Sequence, residues 1–295
     1  MSTPRVVVVL AGAALAGALA LTGCGEDSAD GKPSVVVSFY PLQFVVEELA
    51  GDAVHATNLT APGVEPHDLE LTPQAVGDVA DADLVVYLSG FQPAVDDAVD
   101  GQASAALDVA PAADLSLTTA GGALDPHFWL DPNRLAAVAD ATATSLVDEG
   151  ILDADAARAN LAALTDDLDR LDAEFRKGLA DCTSRHLVTS HEAFGYLADA
   201  YDLTQVGITG LSPEAEPDPQ DLATVTAFVE QNDVRTIYYE TLVSPDVAET
   251  VARETGAEVA VLDPLEGLAS DAAGDDYLTV MAANLETLRT GQDCR

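Results

Sequence analysis

The side chains best suited to chemistry in this 295-residue chain are its five histidines, His55, His67, His127, His186 and His191. Three share a context that the other two lack. His67 stands in Pro62-Gly-Val-Glu-Pro-His67-Asp68, a loop punctuated by two prolines. His127 stands in Asp125-Pro-His127-Phe-Trp-Leu-Asp131-Pro132, with the only tryptophan two residues on, and His191 in Val188-Thr-Ser-His191-Glu-Ala-Phe-Gly. Asp263, directly after the apolar run ending Val261-Leu262 and before Pro264, adds a carboxylate. Taken singly, each reads equally well as a loop, cap or turn residue. Taken together they make a set of three imidazoles and one oxygen. That set suits Zn²⁺, which is held four-coordinate by His nitrogen and carboxylate oxygen, and it offers little to Mg²⁺ or Ca²⁺, which want oxygens. Glu65, Asp68, Asp125 and Glu192 stand close enough in sequence to hold the far ring nitrogens. His55, in a strand, and His186, beside Arg185, read as structural. Neutral imidazole is required for binding, so affinity is expected to fall below about pH 6.

The elements that must position these residues alternate between strand and helix, twice. Strands are expected at Ser34–Ser38, His55–Leu59 and Leu84–Leu88, with helices at Pro41–Ala50 and Pro73–Ala80. Asp131 caps a helix that starts at Pro132. From Asp153 to Leu179 the apolar positions Leu161, Leu164, Leu168, Leu171, Phe175 and Leu179 recur at helical spacing. At about 1.5 Å per residue this helix approaches 40 Å, enough for a stiff strut between two lobes. The pattern then repeats: strand His186–Thr189, a helix from His191, strand Gln205–Thr209, helix Pro219–Gln231, strand Thr236–Tyr239, helix Pro245–Thr255, strand Glu258–Leu262 and a last helix Asp275–Thr290. The fold class expected is α/β, two βα lobes with mostly parallel sheets joined by one long rigid helix. The divisions are residues 1–23 (signal), 24–33 (tether), 34–150 (N-terminal lobe), 151–181 (linker helix) and 182–295 (C-terminal lobe). Open α/β sheets carry ligands beyond the carboxyl ends of their strands, so a shared site is expected in the cleft between lobes.

The first residues speak to location. Arg5 precedes an uncharged apolar run, Val6 to Leu21, which ends in Leu21-Thr22-Gly23-Cys24. This is the layout of a secretory signal rather than a membrane span. The cysteine after Leu-Thr-Gly resembles the lipobox of bacterial lipoproteins, which implies lipidation of Cys24 and anchoring at the extracytoplasmic face of the membrane. The formal charge is −39, from 12 Lys and Arg against 51 Asp and Glu. Such a surface repels nucleic acid, so nucleic acid is discarded as a partner. With Cys24 assigned to lipid, Cys182 and Cys294 remain; outside the cytoplasm two thiols that meet oxidise, and a disulfide is expected.

In this combination and order the chain resembles the metal-specific solute-binding lipoproteins of ABC importers, the zinc and manganese group called cluster A-I (ZnuA-like and TroA-like). The resemblance is carried by the lipobox, Pro62-to-Asp68, Asp125-to-Pro132, Thr189-Ser-His191-Glu-Ala-Phe-Gly-Tyr-Leu-Ala198, Ile208-to-Pro217 and Val261-Leu-Asp263-Pro-Leu-Glu266-Gly-Leu. It implies a metal receptor of the helical-backbone type, without catalysis, that hands its ion to an ABC permease and its ATPase and works as a monomer. By resemblance the ligand positions are His67, His127, His191 and Asp263, with Glu266 and Glu240 as alternatives for the fourth. Manganese-selective members often carry glutamate at the third position, so His191 points to zinc, with manganese as the runner-up. The chain departs from many zinc members in lacking a histidine-rich loop between Tyr87 and Asp125. A secreted zinc hydrolase is the rival from another class, but no His-Glu-x-x-His and no nucleophile elbow are present.

Overall fold

Short apolar runs between amphipathic stretches fold here as two small parallel sheets. The computed structural model describes residues 31–119, 122–269 and 272–295. The expected signal, Cys24 and the tether as far as residue 30 lie outside the described residues. In the first sheet β1 (Ser34–Val37), β2 (His55–Asn58), β3 (Leu84–Tyr87) and β4 (Ala106–Asp108) pair in the order β2-β1-β3-β4. In the second, β5 (His186–Thr189), β6 (Thr204–Gly207), β7 (Thr236–Tyr239) and β8 (Glu258–Val261) pair as β6-β5-β7-β8, the same order repeated. All pairings are parallel, with Val35 opposite Ala56 and Leu84, and Val188 opposite Val206 and Ile237.

Parallel sheets are covered on both faces, and their strands are apolar on both sides. Val35 and Val37 face a large central core while Val36 faces an outer cluster with Val79, Val85 and Val95. The second sheet does the same: Leu187 joins the central core, and Val188 and Ile237 join an outer cluster with Val225 and Val251. The central core runs without a break from Phe39, Leu42 and Trp129 to Phe194, Leu265 and Tyr277. Residues from both sheets' layers therefore share one apolar interior.

The helices begin where side chains can take up their first free N–H groups. Thr72 accepts from Ala75 at the start of α2 (Pro73–Asp81), and Asp131 from Asn133 at α5 (Pro132–Asp148). Asp153 accepts from Asp155 and Ala156 at α6 (Ala154–Gly178). Helix α6 buries Ala157, Leu164, Leu168, Leu171 and Phe175 along one stripe, and Arg176 and Lys177 sit in its last turn, where the helix dipole favours cations. It packs on α5 and on α1 (Tyr40–Ala50), and also on α10 (Tyr277–Gly291), so one helix spans both sheets' layers. Just past its C-terminus, Cys182 is bonded to Cys294 beyond α10, a disulfide that closes the segment carrying the second sheet.

Three elements between Pro93 and Ala113 went unanticipated: α3 (Pro93–Gln102), β4 and α4 (Ala110–Ala113). In α3 the residues Asp96, Asp97, Asp100 and Gly101 interrupt the apolar periodicity, and only Val95, Ala98 and Val99 are buried. The helix expected from His191 instead starts at Gly195, as α7 (Gly195–Ala200). Residues before it are held in an extended turn, because Thr189 Oγ1 donates to the His191 carbonyl and Glu192 N–H donates to the Gly210 carbonyl. The remaining helices are α8 (Pro219–Gln231) and α9 (Asp246–Thr255). Among the described residues no helix is long and apolar enough to cross a membrane.

Candidate metal centre

The carboxyl ends of the strands converge on one point. His67 lies on the loop after β2, His191 two residues past β5, and Glu266 on the turn after β8; His127 comes from the loop that leads into α5. Glu266 Oε1 is 3.3 Å from His67 Nε2, 2.9 Å from His127 Nε2 and 3.2 Å from His191 Nε2. His127 Nε2 is 3.3 Å from His67 Nε2 and 3.4 Å from His191 Nε2. These five donor–donor separations are the relevant measure. A tetrahedron with bonds near 2.05 Å has edges of about 3.3 Å, the spacing of four ligands around Zn²⁺. Oxygen-preferring cations at 2.3–2.6 Å with six or more ligands do not match this set.

Each imidazole is aimed by a second contact. Asp125 Oδ1 accepts the His127 Nδ1–H at 2.7 Å and its backbone N–H at 2.9 Å, leaving the Nε2 lone pair facing the centre. Glu240, the residue after β7, puts Oε1 2.6 Å from His191 Nδ1 and accepts the His191 backbone N–H at 3.2 Å. Glu65 accepts the His67 backbone N–H, and the Phe91 ring packs edge-on against the His67 ring. Carboxylate partners of this kind fix the tautomer and raise ligand basicity. Asp125 therefore holds the far ring nitrogen of His127, as expected. Glu65 takes a backbone N–H instead, and Glu240, considered as a ligand, stands behind His191.

At the fourth position the cluster holds one of the expected alternatives, Glu266. Asp263 was the expected ligand, but it lies outside the four-residue cluster, which contains Glu266 in its place. Asp263 is buried and fully engaged: Oδ1 accepts Leu265 N–H at 2.8 Å, Oδ2 accepts the Thr241 hydroxyl at 3.2 Å, and its backbone is clamped by the Asn284 amide. It builds the turn that carries Glu266. Leu265 sits at φ +57°, a left-handed conformation unusual for leucine, and the Asp263 contact holds it there. Trp129 Nε1–H donates to the Pro264 carbonyl at 2.7 Å, and the Tyr277 hydroxyl donates to the Trp129 carbonyl at 2.6 Å. The roles of Asn284, Tyr277 and Trp129 carry no local sequence signal, since they depend on which segments meet. His55 is exposed on β2, and His186 stacks edge-on against Phe228, both away from the cluster.

The electrostatics are those of a site built for positive charge. Burial opposes a charge on Glu266, but hydrogen bonds from His127, His191 and His67 outweigh it and hold the carboxyl well below its usual range. Burial pushes the His191 ring down, yet Glu240 and Glu266 together raise it to about 10. Burial opposes charge on His127 as well, and Asp125 and Glu266 more than offset that, leaving it above its ordinary value. Burial raises Asp263 to about 6 against the hydrogen bonds it accepts.

A family described as the ZnuA family, zinc-uptake complex component A, periplasmic, matches residues 35–291. The chain belongs to this family. Among ZnuA-family relatives, the zinc-binding protein AdcA of Streptococcus pyogenes is 34% identical over 92% of this chain, which spans only 58% of that relative's length. The high-affinity zinc uptake system protein ZnuA of Bacillus subtilis is 31% identical, with 92% of this chain and 93% of the relative covered. The solved Zn(II)-bound ZnuA-like domain of Streptococcus pneumoniae AdcA superposes with a TM-score of 0.77 at 34% identity, covering 89% of this chain and all of that domain.

Proposed function

We propose that this protein is the extracytoplasmic substrate-binding lipoprotein of a zinc ABC importer. It captures Zn²⁺ as cargo on His67, His127, His191 and Glu266 and delivers it to the permease and its ATPase. The observation that carries this reading is the set of five donor–donor separations between 2.9 and 3.4 Å, which suit tetrahedral zinc. Family membership and the uptake functions named for the relatives support it. Three imidazoles with one carboxylate favour zinc over manganese, whose harder chemistry prefers oxygen ligands. Four protein ligands leave no open corner for a catalytic water, which agrees with a receptor rather than a hydrolase. The lipid anchor at Cys24, a monomeric state and the division into lobes at residues 34–150 and 182–295, with 151–181 between them, belong to the same proposal.

The residues divide the work. Glu266 supplies the one formal negative charge in contact with the ion, Asp125 and Glu240 keep the two buried imidazoles aimed, and the Asp263 turn presents Glu266. Calorimetric titration of the metal-stripped protein with zinc and then manganese tests the reading. Zinc is expected to bind one per chain and more tightly than manganese; tighter manganese binding would overturn the metal assignment.

A further inference from the structure

Gly195 is the first residue of α7, four residues after His191. A β-carbon placed there would stand deep inside contact distance of Asp125 Oδ2 and 3.4 Å from Leu117 Cδ1. The backbone does not call for glycine here. Gly195 is not among the positive-φ residues, and at an ordinary helical position alanine stabilises a helix relative to glycine. The missing side chain is explained by what lies opposite.

Asp125 is that neighbour. It is 5% exposed, and its other oxygen, Oδ1, receives both N–H groups of His127. The carboxylate is thus confined between an imidazole from the loop before α5 and the first turn of α7. Oδ1 and Oδ2 share one carbon, so displacing Oδ2 to admit a methyl group also moves Oδ1 away from His127. The next residue reinforces the contact: the buried Tyr196 hydroxyl donates to the Asp125 carbonyl at 3.2 Å and accepts the Ser116 and Leu117 N–H groups.

We infer that Gly195 is a positioning residue for the cation site, its bare backbone allowing α7 to close on Asp125, which in turn orients the His127 imidazole. Zinc affinity is then set partly by packing between the segment that carries His191 and the segment that carries His127. The inference rests on the reading of His127 as a zinc ligand. Loss of a partner that orients a metal-bound histidine typically costs about 10–100-fold in affinity.

The test is zinc titration, with the visible spectrum of bound cobalt(II), on the full chain and on Gly195→Ala, Asp125→Ala, the double variant and Gly77→Ala. Gly77, inside α2, has open space where a β-carbon would go, so its variant is expected to match the original protein in zinc affinity. Gly195→Ala is expected to weaken zinc by about 10–100-fold and shift the cobalt bands, with circular dichroism unchanged. In the Asp125→Ala background the same substitution is expected to cost nothing more, because the obstructing carboxylate is gone. Wild-type affinity in Gly195→Ala, or the same loss with and without Asp125, would overturn the inference. If Gly195→Ala alone fails to fold, a folded double variant supports the inference and an unfolded one overturns it. Should the original protein not bind zinc, or His127→Ala bind it undiminished, the reading of the site fails instead.

Discussion

The two loops that bring histidines to the site from the first half of the chain are built differently. The His127 loop is buried throughout, with Asp125, His127, Phe128 and Trp129 all at 5% exposure or less. Its hydrogen bonds reach into the second half of the chain, to Tyr196, Pro264 and Tyr277. The His67 loop exposes Ala61, Pro62, Gly63 and Val64, and apart from the contact of its ring with Glu266 its hydrogen bonds, to Glu65 and Gln92, stay in the first half. The His67 side chain is 11% exposed, against 0% for His127 and 1% for Glu266. The difference separates a ligand held by both halves of the fold from one presented by a surface loop. Three donors are buried, and the fourth is the one nearest water.

The largest expected effect comes from breaking the buried side of that contrast. His127→Ala removes a ligand and takes from the buried Asp125 and Glu266 the imidazole that each contacts. Removing one partner from a buried charged group costs roughly 3–5 kcal/mol, which is about two to four decades in zinc affinity. His67→Ala is expected to cost less, since water can reach the vacated corner. Zinc titration of both variants checks the order, and equal losses would remove the distinction between the loops. The next effect separates the two acids of the β8 turn. Glu266→Ala is expected to lose zinc affinity on the scale of His127→Ala. Asp263→Asn keeps an acceptor for Leu265 N–H and should cost no more than about tenfold to a hundredfold, the range for residues that support a ligand. A larger loss from Asp263→Asn would restore it as a ligand.

That pair of acids also marks where sequence reading stopped. The alternation of elements was legible because β1, β5 and β7 are apolar runs bounded by helix caps, and α6 has an unbroken stripe from Leu161 to Phe175. The three histidines were legible because each falls just outside a periodic segment, where side chains are free to point into a cleft. Asp263 and Glu266 could not be separated that way, since both follow β8 within five residues of its end. Only the turn decides: the left-handed Leu265 reverses the chain and sends Glu266 inward while Asp263 turns back on its own loop. The Gly195–Asp125 contact was invisible for a similar reason, because it joins residues seventy apart.

Proton linkage gives a smaller and graded effect. His191 stands at about 10 in the ion-free protein, above the ordinary imidazole value of 6.5, so it carries a proton at neutral pH. Zinc needs the neutral ring, and capture must release that proton. Apparent affinity should then rise about tenfold per pH unit for each proton released, at any pH below about 10. The dependence therefore extends well above the limit of about pH 6 set by unperturbed histidine. For folding the sign is opposite. A raised histidine stabilises the ion-free protein fully below 6.5, and that contribution is lost as pH rises towards 10. Calorimetry at one pH in buffers of different ionisation enthalpy counts the protons. A count of zero at pH 7 would show His191 to be neutral before zinc arrives.

The smallest effect on zinc is expected where the His127 loop is tied to the Glu266 turn. Trp129→Phe deletes the Nε1–H that reaches the Pro264 carbonyl and leaves that oxygen buried without a donor. An unsatisfied buried acceptor costs about 1–3 kcal/mol. In a domain of this size each kcal/mol lowers the melting temperature by roughly 2–4 °C. The phenyl ring still fills most of the space against Phe39 and Phe91, so the loop should keep its place. The variant is therefore expected to melt several degrees lower while losing less than about tenfold in zinc affinity, because neither ligand is released from its own turn. Thermal unfolding and zinc titration on one preparation separate the two. If zinc affinity fell as far as in Glu266→Ala, the Trp129–Pro264 bond would be what holds Glu266 in place, and the Asp263 turn would not suffice alone.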